Sequence, residues 1–247
     1  MRRKTIGICY KMFTICSLAI GIGLNLHRTT SRRALLSYYT LQSNIICLLA
    51  FVVIIWLEVL KKKYKTDLYY LIKGALIISI AITAIMYHIA LSPKGFEMDS
   101  LIKSINNKAL ANLLVHTISP ILVILDYVMF DEKGHFKYYY PFIWLIQPLN
   151  YIVYVYTYSR LGGTFYNIGG SKKFAYFFLD YNELGYLGVI KWLIGIGMII
   201  LILSEFIVVI DKKCARENSI DQFHWLKPVY LYTKNYIVKI ITLLKRK

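Results

Sequence analysis

The sequence predicts an all-α integral membrane protein, a bundle of six transmembrane helices. Three observations predict it. Hydrophobic residues make up 57% of the 247 and charged residues only 17%, and the mean hydropathy is +0.52. The apolar residues fall into six windows of about 20, the length that crosses a hydrocarbon core of roughly 30 Å. Those windows, near 6–26, 37–60, 69–92, 109–130, 138–159 and 184–210, use most of the chain and leave no room for a separate soluble domain. Residues 1–210 therefore read as a membrane domain and 211–247 as a basic tail.

Orientation follows from Lys and Arg in alternate loops. Thirteen lie on the side of the N-terminus, among them Arg2, Arg3, Lys4, Lys61, Lys62 and Lys63, against nine on the other side. Both termini are expected in the cytoplasm and the protein in the plasma membrane. The formal charge of +17 then serves anionic lipid of the inner leaflet rather than nucleic acid, because the basic residues sit in short loops and the tail. The four cysteines suggest neither a disulfide framework nor a zinc spacing, and neither a metal nor an organic cofactor is expected.

The first window follows Met-Arg-Arg-Lys. Its apolar run is too long for a cleaved signal and has no small-x-small site after it, so it reads as a span. Lys11 is expected to snorkel to the inner interface, with Gly21 and Gly23 allowing close packing. In the second window Ser37, Thr40, Asn44 and Cys47 share one helical face, a polar stripe confined to the outer half. Such a stripe suggests a cavity open towards that half, or interhelical hydrogen bonds of roughly 1 kcal/mol or less each.

The third window gathers Thr83, Tyr87 and His88 near its outer end, with Lys73 expected to snorkel at the inner one. His88 reads as interfacial. The fourth, ALANLLVHTISPILVILDYVMF, places His116 well inside the span, with Asn112 and Ser119 on the same face. Pro120 has no N–H and so leaves the His116 carbonyl without its helical donor. An ionisable side chain at that depth is a candidate functional residue. Asp126 lies towards the inner end, placed for an ion pair, and His135 in the following turn reads as solvated.

The fifth window carries Gln147, Tyr151, Tyr154 and Tyr158 on one stripe, and Pro148 is expected to kink it. The loop after it, from Arg160, has two Gly-Gly pairs and eight aromatic residues. It is too apolar to lie loose in water and is expected to fold over the outer mouth, with Asp180 near the start of the sixth window. Gly185, Gly188 and Gly195 align there as a packing face. The tail ends in an amphipathic pattern, Ile237, Ile240, Ile241 and Leu244 among lysines, suited to the inner leaflet.

Depth places Thr40 and His116 at a common level. A threonine hydroxyl becomes a nucleophile when a base takes its proton, and a neutral buried imidazole can be that base. Asn44, Asn112 or a tyrosine could donate to an oxyanion, and His88, Tyr151 and Asp180 complete the expected surroundings. Spacing equally allows a transporter with an aromatic vestibule, or a scaffold that holds lipid with its tail.

Several short motifs occur in order over spans two to six: Tyr39-Thr40-Leu41-Gln42-Ser43-Asn44; Asn112-Leu-Leu-Val-His116-Thr117 followed by Pro120; Gln147-Pro148-Leu149-Asn150-Tyr151; and Phe178-Leu179-Asp180 leading to Gly185-Tyr186. Through them the chain resembles the androgen-induced protein family of six-span membrane proteins, in its prokaryotic-like branch. It departs from that branch at Ala175-Tyr176-Phe177, where a Tyr-Pro-Tyr-like run would stand. The resemblance implies an intramembrane threonine hydrolase of fatty-acyl esters, with Thr40 as nucleophile and His116 as general base.

Overall fold

The computed structural model describes residues 2–29, 31–91, 107–167 and 170–217. The expected cover between spans three and four and the amphipathic end of the tail lie outside the described residues. Helix α1 is Arg2–Arg28, α2 the short Arg32–Leu36, α3 Tyr39–Val59 and α4 Asp67–Met86, which continues as a π-helical turn, Tyr87–Leu91. Helix α5, Asn107–Leu113, passes through a second π turn, Leu114–Ile118, into α6, Ser119–Phe130. Then come α7, Tyr140–Trp144, α8, Ile146–Arg160, a small antiparallel hairpin of β1 (Phe165–Asn167) and β2 (Gly170–Lys172), and the long α9, Tyr181–Glu217.

Among the described residues five helical stretches are long and apolar enough to cross a membrane: Lys4–His27, Tyr39–Val59, Asp67–Leu91, Leu110–Phe130 and Tyr181–Ala215. The window at 138–159 differs. It is split at Leu145 into α7 and α8, and α8 has only 15 residues. Pro148 supplies the reason: it cannot donate to the Trp144 carbonyl and its ring crowds that group, so the regular helix ends one turn earlier. Likewise Pro120 disturbs the carbonyl of His116, and the turn before it widens until the Ser119 N–H bonds the Leu114 carbonyl, five residues back.

Helix α4 is the central post, in contact with α3, α6, α7, α8 and α9, while α1 closes the far side against α3, α5 and α6. Its sequence suits that place, with Ile77, Ile78, Ile80, Ala81 and Ile82 all buried. Gly74 faces Trp144 so closely that a Cβ would lie 2.0 Å from the ring, and the Trp144 indole N–H donates to the Leu71 carbonyl at 2.9 Å. Gly21 packs on Leu114 and Val115. By contrast, among the described residues no side chain lies near Gly185, Gly195 or Gly23, and Gly188 meets only Leu184 of its own turn. No described residue therefore packs on the expected glycine face of α9. Gly185 has φ +66° and ψ 166°, which bends the start of that helix, and only glycine adopts this backbone at low cost.

The bundle has two chemically distinct ends. At the basic end, where α3 turns into α4, charges meet in the interior. Lys73 Nζ lies 2.5 Å from Asp126 Oδ2, Lys11 Nζ 3.3 Å from Asp126 Oδ1 and 3.4 Å from Glu58, and Lys65 Nζ 2.9 Å from Asp131. Lys11 and Lys73 are therefore buried ion-pair partners, not snorkelling side chains. Asp126 is ion-paired as expected. His135 is only half solvated, since its ring stacks on Tyr70 at 4.1 Å. Asp211, fully buried in α9, accepts the N–H groups of Gly134 and Phe136 and the Tyr127 hydroxyl, which ties down the α6–α7 turn. At the opposite, hairpin end, Phe165, Phe174, Phe178 and Leu179 bury themselves against the bundle, so the aromatic loop does fold over it.

Candidate functional site

Beneath that loop lies a layer of uncharged polar groups. The stripe on α3 faces inwards, with Thr40, Asn44 and Cys47 all buried; Ser37, also buried, lies before that helix and caps α2, so it does not share its face. Thr40 forms part of the wall of a cavity of about 70 Å³, together with Thr83, Met86, Tyr151, Tyr176 and Leu193. Most of the remaining lining is aliphatic or aromatic. The Tyr176 hydroxyl comes within hydrogen-bonding range of the Thr40 hydroxyl and of the Tyr151 hydroxyl. The Tyr151 hydroxyl donates to the Ser37 carbonyl at 3.2 Å.

Asn44 joins α3 to the π turn of His116. Its amide nitrogen donates to the Thr40 carbonyl at 2.8 Å and to the Val115 carbonyl at 3.2 Å. The two short bonds use both amide hydrogens, so Asn44 fixes backbone and has no hydrogen left for an oxyanion. Its Oδ1 is buried without a partner. Ser43 Oγ and Thr83 Oγ1 lie 2.8 Å apart, which pins α3 to α4 at the same level.

His116 occupies the widened turn before Pro120. Its ring stacks on Tyr87 with centroids 3.8 Å apart and planes at 10°. The Thr83 backbone is within hydrogen-bonding range of that ring, whereas Nδ1 is buried with no partner. Asn112, one turn away, reaches the Tyr87 hydroxyl. His88 Nε2 lies 3.0 Å from Thr117 Oγ1, so both histidines sit on π turns that face each other. Interruptions of this kind recur at functional positions.

The expected residues thus divide. Asn44, Asn112, His88 and His116 belong to the contact between α3, α4 and α5; Thr40 and Tyr151 belong to the neighbouring cavity. Thr83 touches both. No hydrogen bond joins Thr40 to His116 among the described residues. Asp180 stands apart: its carboxylate accepts the Asn182 N–H at 2.9 Å, a bond that caps the start of α9. Also among the described residues, no group of three His, Cys, Asp or Glu is placed to hold a metal ion.

Sequence reasoning grouped Thr83 with His88 but missed Tyr39, Ser79 and Tyr176 as members of this layer. The Tyr39 hydroxyl lies 3.2 Å from Ser79 Oγ and donates to Gln147 Oε1 at 2.5 Å. Ser79, Thr83 and Tyr87 recur every four residues along α4, a stripe as regular as that on α3. Comparison of the chain with models of known protein families, with curated proteins and with solved structures finds no match.

Proposed function

We propose that the protein is an intramembrane hydrolase of fatty-acyl esters, with Thr40 as nucleophile and His116 as general base. The observation that carries this reading is the pairing of two neighbours across Thr83. One is a hydroxyl on the wall of a mainly apolar cavity; the other is a buried imidazole whose Nδ1 has no partner. The apolar lining suits an acyl chain, and the resemblance to the androgen-induced protein family supports the same two residues.

In this reading Thr40 Oγ attacks the ester carbonyl carbon while its proton passes to His116. Because no hydrogen bond joins the two groups, that transfer takes a side-chain rotation or one bridging water. The C–O bond of the tetrahedral intermediate then breaks, and the proton returns from His116 to the leaving alcohol. Water attacks the acyl-threonine, giving a proton to His116; the fatty acid departs and Thr40 Oγ is reprotonated. Tyr176 is the oxyanion donor that the geometry favours, since its hydroxyl already approaches Thr40.

The same reading takes α7 and α8 together as a sixth crossing, sets both termini in the cytoplasm of a plasma-membrane protein, and brings the ester from the outer leaflet. The basic tail holds anionic inner-leaflet lipid. A small-solute transporter is the second reading, favoured by the interruptions at Leu114–Ile118 and Leu145, since discontinuous helices build transport sites.

Labelling with a fluorophosphonate probe separates the two. A hydrolase gives an adduct on Thr40 in wild type and Thr40→Ser, and none in folded Thr40→Ala or His116→Ala. Absence of both label and turnover across a broad panel of lipid esters, alongside solute flux in proteoliposomes that Thr40→Ala leaves intact, refutes it.

A further inference from the structure

Outside the cavity the bundle has a second hollow, a groove of about 490 Å³ whose walls include Gln42 and Ile46 of α3, Ile72 and Ala75 of α4, and Asn150 and Tyr154 of α8. That volume falls within the range of small-ligand sites, about 300–1,000 Å³. The break at Leu145 shapes it. Trp144, held by Gly74 and the Leu71 carbonyl, forms a rigid floor. Ile46, Ile72 and Ile146 are exposed along its sides, so the groove opens laterally, between helices.

Two features point to an occupant. Asn150 is exposed, and no group among the described residues hydrogen-bonds its amide. It lies ten residues from either end of the stretch Tyr140–Arg160, about 15 Å along the helix at 1.5 Å per residue. With α7 and α8 taken together as a crossing, an unpaired amide at that depth costs several kcal/mol, so it calls for a polar partner beyond the described residues. Further, Tyr151 lines both the groove and the Thr40 cavity. Its ring is the partition between them, its hydroxyl donating to the Ser37 carbonyl and within range of the Tyr176 hydroxyl.

We infer that this groove binds a membrane lipid ester, its hydrocarbon arms along Ile46 and Ile72 and its carbonyl on the Asn150 amide, and that Tyr151 gates its passage to Thr40. The last step rests on the hydrolase reading, and the binding on α7 and α8 together forming a crossing. Lipid is the occupant because hydrocarbon faces a lateral opening between membrane-crossing helices, and an ester carbonyl is an acceptor that lipid can bring to an amide N–H.

The test places the full chain in phosphatidylcholine nanodiscs with a trace of a long-chain alkyl ester carrying a diazirine, irradiates, and maps adducts by mass spectrometry. Adducts at Ile46, Ile72 and Ile146 are expected several-fold above those at Ile202 and Phe206, which are at least as exposed on α9. Ala75→Trp fills the groove and abolishes the enrichment. Asn150→Leu lowers it about five-fold, the effect of one hydrogen bond of about 1 kcal/mol. Even labelling of groove and α9, enrichment that survives Ala75→Trp, or chain-to-chain cross-links through Asn150→Cys in place of lipid adducts overturns the assignment. Thr40→Ala keeps groove labelling unchanged. If fluorophosphonate fails to label Thr40 while the groove enrichment stands, the hydrolase reading falls and the lipid site remains.

Discussion

Replacing Lys73 by methionine tests the electrostatic argument at the basic end. Lys73 is completely buried and its Nζ contacts Asp126 at 2.5 Å and Asp131 at 3.6 Å. With Lys11, Lys65 and Glu58 these groups form a network of three cations and three carboxylates, neutral as a whole. Lys73→Met removes one positive charge but little volume, leaving a net negative charge in the interior. Breaking a buried pair in this way costs about 3–5 kcal/mol. For a chain of this size each kcal/mol lowers the melting temperature by about 2–4 °C, so a fall of about 6–20 °C is expected in detergent. Adding Asp126→Asn restores neutrality, because Lys11–Glu58 and Lys65–Asp131 remain as pairs. The double variant should therefore melt above Lys73→Met. A single variant that melts as wild type does, or a double variant whose loss equals the sum of the two single losses, refutes the reasoning.

Three further outcomes follow from the packing. Gly74→Ala drives a methyl group into the Trp144 ring, which is buried and hydrogen-bonded, so the melting temperature should fall by the equivalent of about 1–3 kcal/mol; an unchanged melt would show that Trp144 can move aside. Asp211→Ala leaves the Gly134 and Phe136 N–H groups and the Tyr127 hydroxyl without their acceptor, at about 1–3 kcal/mol for each group that stays buried. Hydrogen exchange at Phe136 should then quicken, and continued protection there would contradict the role given to Asp211. Finally, burial on its own would raise the pKa of Asp131, but Lys73 and Lys65 prevail and hold it below the ordinary carboxylate value. With the folded-state pKa depressed, its contribution is complete above the unfolded value of about 3.9 and is lost as pH falls through the folded one. Melting temperature should therefore decline in acid below about pH 4, and less so in Asp131→Asn.

Local patterns in the sequence carried most of what can be compared. Three of the four polar residues expected on one face, Thr40, Asn44 and Cys47, are buried together on α3, and Pro120 and Pro148 each disturb the helix one turn upstream. These effects depend on residues within a turn of one another, where spacing is sufficient. The misreadings arose where the partner lies far along the chain. Lys73 looks able to snorkel when its helix is considered alone, yet Asp126 is 53 residues away in sequence and 2.5 Å away in space. The glycines of α9 show the converse, since a smooth face implies a neighbour only if topology supplies one, and none of the described residues packs there. Tyr176 escaped notice because its role depends on how the loop after α8 folds back.

The two halves of the bundle solve burial of polarity in different ways, and the difference bears on the candidate site. At the basic end charge is balanced by opposite charge. At the hairpin end hydroxyls, amides and imidazoles meet one another, with no charged partner among the described residues hydrogen-bonded to Thr40 or His116. Asp126 and His116 are ten residues apart on one continuous path, about 15 Å along the helix. At that separation an unbalanced unit charge is felt as about 1 kcal/mol at an effective dielectric of 20. Because Lys11 and Lys73 both face Asp126, the network presents little net field to the π turn. In the proposed mechanism a histidine that accepts a proton from a hydroxyl needs such isolation, for an unbalanced charge on the same helix would bias its protonation before any substrate arrived. On that proposal the pairing of Lys73 with Asp126 serves the chemistry of the site as well as the stability of the fold.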